Sequence, residues 1–382
     1  MKENEDRFQD IRPFTDQEFP QVKRRLTNNR FLISTVRSMI FPRIPELAHR
    51  PAESFIRLFL KFRLFNIRTI DDFQKKIVGL RLLKWVLDQS VDQLSWSGIE
   101  SLDPQRGYVF ISNHRDIVLD SALVNYILNN AGFRVPFIAF GNNLLYDDMV
   151  EDLIRINKAF IVKRDLPPKL QLKELIHLSA YINQLLDQDE NIWIAQREGR
   201  AKDGIDKTNP AIVKMFHLSE RKNQPDFGAY IRSIGIVPVS ISYEKDPCDR
   251  LKARELHKIQ QRGKYKKKRK DDLVSMATGI SGHKGNIHVA FSKPLSGEYE
   301  DEKDVALAID QAIHQSYRLW PNNYIAHDQL FGAKVHSERY QASEENAFLE
   351  NYLNLKPEIR RFVYQIYANP VISKLRYQAA SD

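Results

Sequence analysis

Between residues 107 and 295 short apolar runs alternate with longer amphipathic stretches, and this alternation constrains the fold more than any other feature of the chain. The runs are YVFIS (108–112), VPFIAF (135–140), AFIVK (159–163), NIWIA (191–195), IVPVSISY (236–243) and NIHVAF (286–291). They are rich in β-branched and aromatic residues and are bounded by polar residues or glycine, so each reads as a buried strand. Segments 118–131, 169–187 and 208–217 lie between them and read as helices. Strand and helix in alternation predict an α/β fold, with a mixed, largely parallel sheet flanked by helices.

Helical additions are expected at both ends. The first thirty or so residues are polar and punctuated by proline, and read as an extended lead-in. From Glu53 the sequence SFIRLFLKFRLF places Phe55, Phe59 and Phe62 at helical spacing, with Arg57 and Lys61 four apart and Arg63 breaking the pattern. Two readings fit: a helix lying in a membrane interface, or a core helix whose long cations reach back to water. A second helix is predicted from Asp71, as its cap, to Gln89, carrying Phe73, Ile77, Leu80 and Leu87. After Glu300 the chain reads as polar helix without further strands. The expected organisation is an N-terminal helical, membrane-interfacial region (1–95), an α/β domain (96–300) and a C-terminal helical extension (301–382).

Composition narrows the function classes. With 42% hydrophobic and 28% charged residues the chain is of the folded, globular type. Its 58 Lys+Arg against 49 Asp+Glu give a net charge of +9, which suits an anionic partner. The single cysteine, Cys248, excludes an intrachain disulfide and a cysteine zinc cluster. The start MKENEDRFQD is unlike a secretory signal peptide, and the best apolar stretch, Val135 to Tyr146, is shorter than the roughly 20 residues of a spanning helix. It also contains Gly141, Asn142 and Asn143, so no transmembrane helix is expected. The basic run Lys264–Lys270 suits nucleic acid or an anionic membrane. Without a zinc finger, a helix-turn-helix or an aromatic single-strand platform beside it, the membrane is the expected partner and nucleic acid is not.

One segment carries chemistry. The strand YVFIS runs directly into Asn113-His114-Arg115-Asp116-Ile117-Val118-Leu119-Asp120. A carboxylate bonded to one ring nitrogen fixes a histidine's tautomer, and the other nitrogen can then take a proton from a hydroxyl. Either Asp116 or Asp120 could be that carboxylate, and a plain helix-capping turn fits as well. His-Arg-Asp also matches part of a kinase catalytic loop, but Ser121 stands where asparagine is required and no glycine-rich loop precedes it. A metal site at His114 and Asp116 lacks a second histidine nearby at ligand spacing.

Asn113-His114 with a following aspartate resembles the first block of the glycerolipid acyltransferases, the 1-acylglycerol-3-phosphate acyltransferase family in its broad sense. Three further segments resemble that family's later blocks in order: Ala159–Arg164, Asn191–Arg200 and Ile236–Ile241. The resemblance covers roughly residues 107 to 295. It departs from the family in two places. Five residues rather than four separate His114 from Asp120, and Gln196-Arg197 precede Glu198-Gly199 where Phe-Pro is usual, with Arg200 following at once. Asp120 is favoured over Asp116, because the apolar helix continues from it as in the family.

The resemblance implies transfer of a fatty acyl group from acyl-CoA or acyl carrier protein to a hydroxyl of a lysophospholipid such as 1-acylglycerol-3-phosphate. It implies His114 as general base and Asp120 as its partner. Arg164, Arg197 and Arg200 would bind the acceptor phosphate, with Glu198 orienting them and Gly199 letting the backbone turn. No metal and no bound organic cofactor are implied. The expected location is cytoplasmic and peripheral to the membrane. The competing classes are a non-catalytic lipid-binding or tethering protein on the same fold and a hydrolase using His114 on water. No Gly-x-Ser-x-Gly elbow supports the latter.

Overall fold

The computed structural model describes residues 6–41, 43–145, 147–266 and 269–379. Tyr146 of the apolar stretch and Lys267 and Lys268 of the basic run therefore lie outside the described residues, as do residues 1–5 of the N-terminal start and the end of the C-terminal extension (380–382). The side chains of Leu80 and Arg269 lie outside as well.

Among the described residues seven strands form one sheet: β1 (Gln93–Ser97), β2 (Val109–Ser112), β3 (Phe137–Gly141), β4 (Ala159–Val162), β5 (Ile192–Ala195), β6 (Ile236–Tyr243) and β7 (Asn286–Phe291). Their spatial order is β1-β7-β6-β2-β5-β3-β4, and every pairing is parallel except β6 with β7. The chain moves outward from β2 to β3 and β4, returns to β5 between β2 and β3, and then crosses to the other side of β2 with β6. Such reversals open a crevice at the carboxyl ends of the central strands, where α/β sheets bind their ligands.

Both faces of the sheet are covered, which is why its strands read as nearly continuous apolar runs. Phe110, Trp193, Val237 and Val239 point to one face and pack with Leu123, Val124 and Ile127 of the helix Leu119–Asn130. Val109, Ile111, Ile192 and Ile194 point to the other, against Ile182 of the helix Pro168–Leu186, Phe216 of Pro210–His217 and Ile309 of Glu302–Ser316. The C-terminal residues form helices Pro321–Phe331, Ala342–Tyr352 and Pro357–Ala379 around their own core of Ile325, Phe348, Tyr352, Val363 and Tyr367.

Several expectations need correction. β1 reads poorly as a strand because Gln93-Leu94-Ser95-Trp96-Ser97 is an edge strand, paired only with β7, and needs little apolar surface. It lies across the boundary drawn at residue 95. The N-terminal lead-in is not extended throughout: Phe19–Asn28 is helical, with Pro20 in its first turn where a missing N–H costs nothing. Its Phe19, Val22 and Leu26 are buried against Ile67, Ile70 and Phe73. The helix predicted from Asp71 starts at Ile70 and is capped by Thr69, whose hydroxyl accepts the Asp72 amide at 3.0 Å. It continues through a π-helical stretch, Gln74–Leu83, to Ser90.

The aromatic helix spans His49–Leu64, and Ile56 is its buried residue among those described. Phe55, Phe59, Phe62 and the following Phe65 are 62%, 46%, 76% and 78% exposed, so the aromatic side is not core. No helix among the described residues is long and apolar enough to cross a membrane.

Gly98 turns the chain out of β1 at φ +84°, and a Cβ there would stand 1.9 Å from the Phe291 carbonyl oxygen of β7. The left-handed backbone alone costs a non-glycine residue about 1–2 kcal/mol. Gly98→Ala is expected to destabilise the protein by at least about that amount, read as a lower denaturant midpoint at unchanged slope.

Candidate active site

Four loops converge at the carboxyl edge of the sheet, each following a strand. β2 delivers His114, β3 delivers Asn142 and Asn143, β4 delivers Arg164, and β5 delivers Arg197, Glu198, Gly199 and Arg200. These residues, apart from Asn142, line one cavity of about 390 Å³ together with Trp193, Lys202 and Asp203. Every residue proposed from sequence to touch substrate is thus brought to one place from three separate segments.

The turn that carries His114 is fixed from both sides. Asn113 is fully buried and pairs with β6: its Nδ2 donates to the Ile241 carbonyl at 3.0 Å and its Oδ1 accepts the Ile241 amide at 2.7 Å. Arg115 points away from the cavity into the protein, where its guanidinium donates to Asp206 at 2.6 Å and to the Gly204 carbonyl at 3.2 Å. Lys252 donates to the Arg115 carbonyl at 2.8 Å. The His114 carbonyl accepts the Ala201 amide at 2.9 Å, which ties the β2 and β5 loops together.

The two aspartates have different partners. Asp120 Oδ2 lies 2.8 Å from His114 Nδ1 and also accepts the backbone amides of Arg115 and Asp116, at 2.6 and 2.9 Å. Its Oδ1 accepts the Tyr243 hydroxyl at 2.8 Å. Asp116 instead turns toward the next helix, and its Oδ1 accepts the Val118 and Leu119 amides at 2.9 Å each. Its Oδ2 lies over Gly279, where a Cβ would come within 2.0 Å.

Charge follows from these contacts. Burial alone would raise the Asp120 carboxyl, but the hydrogen bond and charge of His114, with the amide and hydroxyl donors, hold it below its ordinary value. It is an anion in the folded protein. Burial raises the Asp116 carboxyl, and repulsion from Asp120 raises it further. With Nδ1 facing the carboxylate, the imidazole carries its proton there and leaves Nε2 as the acceptor. Nε2 has no hydrogen-bond partner among the described residues, and the ring lines the cavity with Trp193 edge-on at 6.1 Å.

The arginines are held differently from one another. Arg164 donates to Glu198 at 3.0 Å. Arg200 is 9% exposed, and its Nη1 is buried without a hydrogen-bond partner among the described residues. Gly199, at φ +70°, makes the turn that separates Glu198 from Arg200. Beside the polar cavity lies an apolar one of about 400 Å³, lined by Leu32, Val78, Val150 and Met276. The two share Ile117, Ser121, Ile138 and Phe140 as common walls. Tyr243, the second side-chain donor to Asp120, leaves no signal in the sequence, since the last residue of a buried strand gives no sign of which loop it faces.

Residues 93–244 match the family model described as Acyltransferase. The dihydroxyacetone phosphate acyltransferase of Homo sapiens is 26% identical over 221 residues, covering 58% of this chain and 30% of that protein. The glycerol-3-phosphate acyltransferase of Baumannia cicadellinicola subsp. Homalodisca coagulata is 25% identical over 238 residues, 59% of this chain and 27% of that protein. The matches thus span less than a third of these relatives' length. The solved 1-acyl-sn-glycerophosphate acyltransferase from Thermotoga maritima superposes with a TM-score of 0.38 at 16% identity, covering 68% of this chain and 86% of that one.

Asn113→Ala removes both side-chain partners of Ile241 and strands a buried amide and a buried carbonyl. Each such group costs about 1–3 kcal/mol. The variant is expected to melt well below the wild type, by differential scanning calorimetry, while Asn143→Ala at the cavity rim melts close to it.

Proposed function

For a chain that belongs to the glycerolipid acyltransferase family, we propose an O-acyltransferase of glycerolipid synthesis that moves a fatty acyl group from a thioester to a hydroxyl of a phosphorylated three-carbon acceptor. One observation carries this reading: a histidine tied to a buried carboxylate shares its cavity with a buried arginine nitrogen that has no hydrogen-bond partner among the described residues. A buried cation without a partner is costly, and a phosphate oxygen is the natural acceptor for a guanidinium. The apolar cavity sharing a wall with His114 suits an acyl chain.

The chemistry follows from those positions. The acceptor hydroxyl gives its proton to His114 Nε2 as its oxygen attacks the thioester carbonyl. The new carbon–oxygen bond forms and the carbon–sulfur bond breaks. The leaving thiolate then takes the proton from the imidazolium, restoring the histidine. Asp120 stabilises the imidazolium and holds the ring in place. Acyl-CoA or acyl carrier protein serves as donor. A lysophospholipid such as 1-acylglycerol-3-phosphate, glycerol 3-phosphate and dihydroxyacetone phosphate all present the phosphate and hydroxyl this cavity requires, and the last two are the compounds in the relatives' names.

The test is transfer of labelled acyl groups from acyl-CoA to each of these three acceptors. At least one is expected to be acylated, and His114→Ala is expected to abolish the reaction in a protein that still folds. Asp120→Asn is expected to cost about 10²–10⁴ in kcat/KM. Asp116→Asn is expected to keep most activity, because an amide oxygen can accept the same two backbone N–H groups. Hydrolysis of the thioester without transfer to any acceptor would favour the hydrolase reading, and binding of acyl-CoA without turnover the non-catalytic one.

The exposed aromatic helix supports a peripheral site on an anionic membrane surface, where rings insert and Arg57, Lys61 and Arg63 meet phosphates. Each basic side chain near such a surface contributes about 1 kcal/mol, screened by salt, whereas ring insertion is not. Vesicles containing anionic lipid are therefore expected to retain part of the bound protein at high salt. Replacing Phe55, Phe59 and Phe62 by Ser is expected to remove that part without lowering the melting temperature. A folded triple variant that still binds at high salt contradicts this placement.

A further inference from the structure

Far along the chain from the catalytic loops, in the C-terminal helices, the helix Pro321–Phe331 carries His327 and Asp328 near its end and stops at Gly332, at φ +68°. That left-handed turn sends the following loop back over the helix end and brings in His336. The loop is held by Asp328 Oδ2, which accepts the His336 amide at 3.0 Å and the Tyr340 hydroxyl at 2.9 Å. Asp328 Oδ1 has a different fate. It is buried and has no hydrogen-bond partner among the described residues, and the same holds for His327 Nδ1 and His336 Nε2. Asp328 as a whole is only 3% exposed. One donor atom of each of the three residues lies within 4.8 Å of those of the other two, and His327 Nδ1 stands 3.6 Å from Asp328 Oδ1. The two imidazole rings meet at 4.7 Å and 70°, with Phe331 against His327 and Tyr324 against His336.

Three buried electron-pair donors without partners are costly unless something positive stands between them. A proton on one imidazole can serve a single pair, and the 3.6 Å separation of that pair exceeds a hydrogen bond. An ion bound by all three serves every atom at once. We propose that His327, Asp328 and His336 form a binding site for a divalent transition-metal ion of the zinc type, which fastens the loop 332–341 onto the helix. Bonds of about 2.0–2.2 Å to each donor place the three atoms about 3.3–3.6 Å apart in tetrahedral geometry. The observed spacing, within 4.8 Å, contracts toward this on binding. Two imidazole nitrogens and one carboxylate oxygen suit zinc and its neighbours in the first transition row, whereas magnesium and calcium take oxygen-rich sets. Water completes the coordination. None of the three residues lines the catalytic cavity, so the ion acts on the C-terminal helices and not on acyl transfer.

The test uses the tag-free full-length chain, stripped with a chelator and then equilibrated with zinc. After gel filtration, elemental analysis is expected to find about one zinc per chain, a count set by one three-ligand site. Zinc is also expected to raise the melting temperature by several degrees, as any ligand of the folded state does, while magnesium and calcium leave it unchanged. His327→Gln and His336→Gln are each expected to lose both the bound zinc and the shift. Cobalt replaces zinc in the wild-type protein and reports the site through its visible absorption, so a variant that fails to fold does not end the test. A wild-type chain that retains no zinc and gives no cobalt spectrum overturns the proposal. So do folded variants that bind zinc as the wild type does.

Discussion

Asp120 is the contact on which the geometry around His114 depends. Its carboxylate is fully buried, yet both oxygens are occupied: one by His114 and two backbone amides, the other by the Tyr243 hydroxyl. A buried anion survives only when donors replace the water it has lost. Those donors come from the β2 loop itself and from the end of β6, so the charge draws the loop and the sheet together. Removing the carboxylate would free the imidazole to rotate and leave the turn at Arg115 and Asp116 without its acceptor.

The surrounding structure divides the remaining work. Asn113, pinned to Ile241, fixes where the loop leaves the sheet, and Arg115, paired with Asp206, anchors it to the protein interior. Asp116 closes the turn into the helix Leu119–Asn130, whose Leu123 and Ile127 bury the face that positions Asp120. On the open side the β4 and β5 loops bring arginines toward the cavity, and an apolar cavity lined by Leu32, Val78 and Val150 shares its wall. A polar chamber and an apolar one thus meet beside a single histidine. The exposed phenylalanines of His49–Leu64 belong to the same N-terminal helices that border the apolar chamber, because Phe31 and Leu32 lie on the helix Arg30–Ile40 packed beside them.

Much of this was legible in the residues. Six of the seven strands stand out because both faces of the sheet are covered, which forces apolar, β-branched runs such as IVPVSISY. β1 does not stand out, since an edge strand of Gln, Ser and Trp carries no such burden. Pro20 reads as a breaker until its place in the first turn of a helix is known, and the cap at Thr69 lies one residue outside the helix it serves. Spacing alone could not separate Asp116 from Asp120, because both can reach a histidine across a tight turn. The difference lies in Tyr243 and in the amides at 115, 116, 118 and 119, none of which leaves a mark in the sequence. The grouping of His327, Asp328 and His336 is invisible in the sequence for a similar reason. Their seven-residue gap is closed only by the turn at Gly332.

The central claim is that Asp120 holds His114 with its proton on Nδ1 and its Nε2 free. The direct measurement is nitrogen NMR of protein carrying labelled histidine, with the His114 signals assigned by their loss in His114→Ala. In the neutral ring, Nδ1 is predicted to show the shift and one-bond coupling of a protonated nitrogen, and Nε2 the shift of an unprotonated one. That pattern should disappear in Asp120→Asn. A proton resident on Nε2 in the wild-type protein, or a pattern unchanged by Asp120→Asn, would contradict the account.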